Sequence, residues 1–217
     1  MYLQRNMTPP VVKNLIIANC VALLATTLLP FGDDIIAKFA LFNVESPFFH
    51  SYQIFTYMFL HGGVSHLFFN MFALWMFGRT LEYELGSQRF LTYYMVCGIG
   101  AALLQLGVGY AEYMHALDAN GMMGARYLLQ IPTVGASGAV YGLLLAFGVL
   151  HPNNVIMLIF PPIAMKAKWF VLVYGLLELF FGVSGYQAGV AHFAHLGGML
   201  WGLGLLLWWR KSRKIFF

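Results

Sequence analysis

The sequence predicts an all-α membrane protein, a polytopic bundle of six transmembrane helices with an active site inside the bilayer. Three observations carry that expectation: the composition, six apolar segments of spanning length, and polar residues at matching depth in three of them. Of 217 residues 60% are hydrophobic and 9% charged, with a mean hydropathy of +0.73. A soluble domain carries about 25% charged residues, so this chain has too few to cover a water-facing surface. The net charge of +4 reads through membrane topology, and no nucleic-acid partner is expected. Cys20 and Cys97 both fall in apolar runs, which argues against a disulfide framework.

The apolar segments lie at about 11–30, 64–82, 90–112, 137–151, 168–184 and 190–209 of a single domain over 1–217. Each is near the roughly 20 residues that a spanning helix requires. The flank of the first, TTLLPFGDD, lacks a small-x-small cleavage site, so that segment is read as a retained span. No internal repeat of a transporter kind is evident. With six spans, one side of the membrane holds Arg5, Lys13, Arg79, Arg89, Lys166, Lys168, Arg210, Lys211, Arg213 and Lys214. The other holds only Lys38 and Arg126. This positive-inside bias predicts cytoplasmic termini, and the RKSRK tail suits anionic headgroups.

Spans two, four and six then run in the same direction. His66 precedes Arg79 by 13 residues, Ser137 precedes His151 by 14, and His195 precedes Arg210 by 15. At 1.5 Å per residue, all three stand about 20–22 Å above the inner boundary of a core about 30 Å thick. Three reactive side chains on three parallel helices therefore reach one level.

Glycines explain how those helices approach. Ser137 sits in Gly135-Ala136-Ser137-Gly138, Gly138 and Gly142 form a GxxxG pair, and Gly198 and Gly202 form another just after His195. Such spacing lets backbones pack closely in lipid. Tyr141 falls on the Ser137 face, where its ring could hold an imidazole. His66 and Asn70, at i and i+4 in HGGVSHLFFNMF, share a helix face. Intramembrane polar residues are costly unless they are paired or functional. His61, in the turn before, is read as a loop-to-helix tether.

Together these parts suggest acyl transfer. Serine needs a base to accept its proton, and His195 is best placed for that. The side chains of His66 and Asn70 and the backbone N–H of Ser137, at a helix start, are the expected oxyanion donors. No carboxylate is expected beside His195, so the prediction is a Ser–His dyad with Tyr141 as the orienting group.

GASGAVYG, HGGVSHLFFN and AHLGGMLWG resemble the three signature blocks of the rhomboid intramembrane serine proteases, and the six-span order extends the likeness over essentially the whole chain. The resemblance implies Ser137 as nucleophile, His195 as base, and His66 and Asn70 as oxyanion donors. It implies cleavage of membrane-protein substrates in or near their transmembrane segments, within the lipid bilayer, without metal or other cofactor. Substrate entry would lie near spans two and five and a cap loop at about 184–190. The segment Leu81-Glu82 to Leu85-Gly86-Ser87 is also similar to the family. Where many members carry Trp-Arg in the first loop, this chain has Tyr52-Gln53. The stretch 113–134 is expected as a long Met-rich loop. The minimal six-span architecture suggests a bacterial inner membrane.

Two rival classes are weighed. His192 and His195, at i and i+3, admit a metal site, but HExxH is absent and no carboxylate is evident nearby. A non-catalytic scaffold that binds membrane helices would be expected to lack the serine or histidine. Glu178, about 15 Å along span five from Lys168, is a functional candidate by default. It is read as structural, with a gating contact as the alternative.

Overall fold

The computed structural model describes residues 7–157, 162–185 and 189–212. Part of the expected cap loop (186–188) and the basic residues Arg5, Arg213 and Lys214 lie outside them. Helix α1 (Pro10–Leu28) is followed by a short α2 (Gly32–Phe39), a loop, and a single turn α3 (Gln53–Thr56). Next come α4 (Val64–Ala73), a π-helical turn (Leu74–Gly78) and α5 (Arg79–Leu85). The long α6 (Ser87–Ala125), a 3₁₀ segment (Arg126–Gln130) and α7 (Ser137–Leu150) follow. A small antiparallel hairpin, β1 (Val155–Met157) and β2 (Ala164–Lys166), leads into α8 (Ala167–Ser184) and α9 (His192–Lys211).

A helix, or the continuous run 64–85, lies at each of the six apolar segments. By length and apolarity, Pro10–Leu28, Ser87–Gln130 and Ala167–Ser184 could cross a membrane. The outer surface is apolar as lipid requires: on α8 alone Trp169, Leu172, Leu176, Phe180 and Val183 are exposed. The stretch 113–134 departs from expectation. It is not a loop at its start, because α6 continues to Ala125, with its backbone broken only at Gly121 (φ 66°). Hydropathy falls after residue 112, but AEYMHALDA is rich in good helix formers, and propensity carries the helix on.

The centre of the bundle is α9 packed against α6 and α7. Close approach there depends on missing side chains. A Cβ at Gly198 would stand 1.8 Å from the carbonyl oxygen of Gly138. A Cβ at Gly142 would meet the Cys97 sulfur at 2.4 Å and the Gly198 carbonyl oxygen at 3.1 Å. The Tyr93 hydroxyl, held by α6, donates to the Gly142 carbonyl at 2.9 Å. This is helix packing by backbone contact, which lipid favours because apolar burial alone gives helices little reason to associate.

Two buried polar residues fix the periphery. Glu82, 2% exposed, accepts hydrogen bonds from the N–H groups of Val11 (3.0 Å) and Val12 (2.8 Å) and from the Ser87 hydroxyl (2.6 Å). It thereby satisfies donors at the start of α1 and sets a carboxylate at the positive end of that helix. Gln53 is fully buried and anchors the first loop. Its amide nitrogen donates to the carbonyls of Lys38 (3.0 Å) and Phe48 (2.8 Å), and its oxygen accepts the Phe42 N–H at 3.4 Å. One neutral amide thus ties this loop together.

Gly198→Ala is expected to destabilise the protein near the upper end of the roughly 1–3 kcal/mol that overpacking costs, because both colliding atoms belong to backbone. A lowered thermal midpoint in detergent checks this. Glu82→Ala should cost at least about 1–2 kcal/mol through the lost cap, read as a lower midpoint and faster proteolysis near residue 10.

Candidate functional site

Ser137 is the first residue of α7, His66 the third of α4 and His195 the fourth of α9. All three therefore occupy first turns, at the same end of the bundle. The approach to Ser137 is fixed by backbone pairing. Leu41 and Thr133 exchange hydrogen bonds at 3.0 and 2.8 Å, and the Gly135 N–H donates to the Tyr57 carbonyl at 3.1 Å. Gly135 adopts φ 133°, and a Cβ there would stand 3.0 Å from the His66 ring and 3.5 Å from Ser137 Oγ. Glycine is required on both counts.

Ser137 Oγ and His195 Nε2 are 2.8 Å apart, although 58 residues separate them in the chain. The Tyr141 ring lies flat against the His195 ring, with centroids 4.2 Å apart and planes 5° from parallel. The backbone contact of Gly138 with Gly198 lies one residue past the serine and three past the histidine, so it sets their separation.

His66 is fixed from the other side. The Gly62 N–H donates to its Nδ1 at 3.3 Å, which leaves Nε2 as the protonated nitrogen of the neutral ring. Asn70 donates through Nδ2 to the His66 carbonyl at 2.9 Å. Its amide keeps a second hydrogen for another partner. Both residues line the same groove as Ser137 and His195. That groove, of about 1150 Å³, is walled by Phe68, Phe69 and Phe72 on α4, by Met76 on the π-helical turn and by Phe170 and Tyr174 on α8. It joins an apolar channel to a polar end.

His61 is 4% exposed and meets the His66 ring edge-on at 5.0 Å between centroids. Its ring nitrogens have no hydrogen-bond partner among the described residues. It reaches from the turn to His66 on α4 by ring contact. Burial, with the His66 ring beside it, lowers its pKa to about 4, so this ring is neutral at physiological pH. Gly202 lies deeper in the bundle, where a Cβ would stand 2.4 Å from the Tyr93 hydroxyl.

The expectation that no carboxylate reaches His195 is overturned. Glu178 Oε2 stands 2.9 Å from His195 Nδ1 and 2.7 Å from His192 Nδ1, and Oε1 accepts the Tyr141 hydroxyl. All three of Glu178, His192 and His195 are buried. Glu178 stands on α8, 17 residues before His195, and only the packing of α8 on α9 turns it inward. No spacing rule links the two. The signal available in the sequence was a lone acidic residue in LLELFF, which had to face protein rather than lipid. The donor atoms of these three residues lie within 4.8 Å of one another, close enough for a metal ion. Glu178 accepts hydrogen bonds from both histidines, and His192 Nε2 has no partner among the described residues.

The arrangement supplies a hydroxyl, a base beside it, and donors across a groove. Comparison with known proteins follows the same lines. The rhomboid domain family matches residues 49–212. The chain is 31% identical to Rhomboid protein 1, mitochondrial, of Saccharomyces cerevisiae, over 72% of this chain and 41% of that one. It is 31% identical to Rhomboid protease AarA of Providencia stuartii, over 67% of this chain and 51% of that one. Identity to Rhomboid protease GluP of Bacillus subtilis is 27%, over 70% and 24% respectively. The match thus spans about half or less of the length of these relatives. Relatives with mitochondrial names match as well as bacterial ones, so the bacterial compartment read from a minimal architecture is not supported. The domain match, the identities and the helical, apolar-surfaced bundle agree: the chain belongs to the rhomboid family and is an integral membrane protein.

Proposed function

We propose that this protein is an intramembrane serine endopeptidase that cleaves membrane-protein substrates in or near their transmembrane segments. The observation that carries the reading is the 2.8 Å contact between Ser137 Oγ and His195 Nε2 at the polar end of an apolar groove. In the reaction His195 Nε2 takes the Ser137 proton as Oγ attacks the scissile carbonyl carbon. The carbonyl oxygen becomes negative and is met by His66 Nε2–H, the free Asn70 amide hydrogen and the Ser137 N–H at the start of α7. The imidazolium then returns its proton to the leaving amine, and an acyl-enzyme forms. Water, deprotonated by the same nitrogen, hydrolyses it. A transmembrane segment suits the groove because its side-chain walls are aromatic and aliphatic.

The depth of the site follows from helix length. At 1.5 Å per residue the 14 residues of α7 rise about 21 Å, against a hydrocarbon core of about 30 Å. If α7 ends at the basic face, its first residue, Ser137, begins below the opposite surface. The basic asymmetry supports cytoplasmic, or topologically equivalent, termini.

Incubation of the wild type with a fluorophosphonate probe is expected to label Ser137, while Ser137→Ala and His195→Ala remain unlabelled and cleave no substrate. Folded wild-type protein that is never labelled would favour a helix-binding scaffold. Loss of cleavage on chelation, without serine labelling, would favour a metal site. His66→Ala and Asn70→Ala are each expected to lower kcat on the order of 100-fold, as removal of an oxyanion donor does, with the fold retained.

A further inference from the structure

We propose that Glu178 is a positioning residue for this reaction, one that fixes the proton of His195 on Nδ1 and holds the imidazole against Ser137. The proposal rests on Ser137 acting as nucleophile and His195 as base, and it extends that pair to a hydrogen-bonded network of five side chains with Glu178, His192 and Tyr141.

A carboxylate offers only acceptors. Its contacts with His195 Nδ1 at 2.9 Å and His192 Nδ1 at 2.7 Å therefore require a hydrogen on each of those nitrogens. A neutral imidazole carries one N–H, so once Nδ1 holds it, His195 Nε2 presents a lone pair. That lone pair faces Ser137 Oγ at 2.8 Å, which is the geometry of a base ready to accept. Without an acceptor at Nδ1 the ring could place its hydrogen on Nε2, and the serine would then face a donor that cannot take its proton.

The carboxylate is itself held at both oxygens. Oε2 takes two donors from α9, and Oε1 takes the Tyr141 hydroxyl from α7. Tyr141 thus performs two tasks, fixing the plane of His195 by stacking and the rotamer of Glu178 by its hydroxyl. Stacking sets the ring plane, and bonds at both ring nitrogens set its rotation within that plane. When Nε2 gains the serine proton, the positive ring lies beside a buried negative group. Low local dielectric makes that pairing stronger than it would be in water. A tether whose only task is to join α8 to α9 would need no contact with the nitrogen of the base.

Glu178→Gln separates the two roles. The carboxamide keeps the volume of the side chain but replaces one acceptor oxygen by an NH2 donor and removes the charge, so packing is kept while the hold on the Nδ1 hydrogen is weakened. Against a transmembrane substrate in proteoliposomes, kcat is expected to fall about 100-fold or more, with KM changed less than about threefold. Labelling of Ser137 by the fluorophosphonate should slow in parallel. In a protein labelled with 15N-histidine, the wild type should give a downfield Nδ1–H resonance for His195, assigned by its loss in His195→Ala. That resonance should move upfield in Glu178→Gln. A folded Glu178→Gln protein whose kcat lies within threefold of wild type overturns the proposal. Should that variant not fold, Tyr141→Phe decides, since it frees the carboxylate yet keeps the ring stack: a tenfold loss of labelling rate supports the proposal, and an unchanged rate overturns it. Cleavage that survives in Ser137→Ala or His195→Ala would instead overturn the underlying Ser–His reading.

Discussion

The contact on which the site depends is made of backbone. Gly198 on α9 rests against the carbonyl of Gly138 on α7 so closely that no side chain fits between them. Ser137 and His195 stand one and three residues from that contact. Helix geometry converts the small interaxial distance into a hydrogen-bonded separation between Oγ and Nε2. In a bilayer, apolar side chains gain little by leaving lipid for one another, so interlocked backbones replace the hydrophobic core as the source of precision. The aromatic hydroxyls of Tyr57 and Tyr93, which donate to the carbonyls of Gly98 and Gly142, reinforce the same layer.

Around that layer three buried polar side chains have a full set of partners. Glu82, Gln53 and Glu178 each take three hydrogen bonds and each join segments distant in sequence. Their partners differ in kind. Glu82 and Gln53 bind mainly main chain and hold helix α1 and the first loop, whereas Glu178 binds only side chains, among them the candidate base. An incompletely satisfied group in a low-dielectric interior would cost more than it contributes, so these networks also discriminate against misplaced helices.

Much of this was legible in the sequence. Apolar runs of spanning length gave the helices, and the glycine pairs beside Ser137 and His195 pointed to their approach. The i, i+4 spacing of His66 and Asn70 put them on one face. What was not legible depended on azimuth or on propensity beyond hydropathy. The lone Glu178 of LLELFF has to face protein, but nothing in the segment says which partner it meets, because α8 has apolar residues all round and its facing is decided by α9. The helix beyond residue 112 is hidden because a polar stretch after an apolar span has no hydropathy signal to separate helix from loop. The capacity of Gln53 to accept from one backbone group and donate to two others is visible only once the loop is folded around it.

The π-helical turn at Leu74–Gly78 has a consequence for how the run from 64 to 85 divides its allegiance. Adding a residue to one helical turn rotates everything after it by about 100° relative to a regular helix. The half carrying His66 and Asn70 can then face the groove while the half carrying Leu81 and Glu82 faces α1. A straight helix would couple those two azimuths rigidly, so that drift in one contact would swing the other. The widened turn thus lets the groove-lining half and the anchoring half each meet its own neighbour within one continuous helical run.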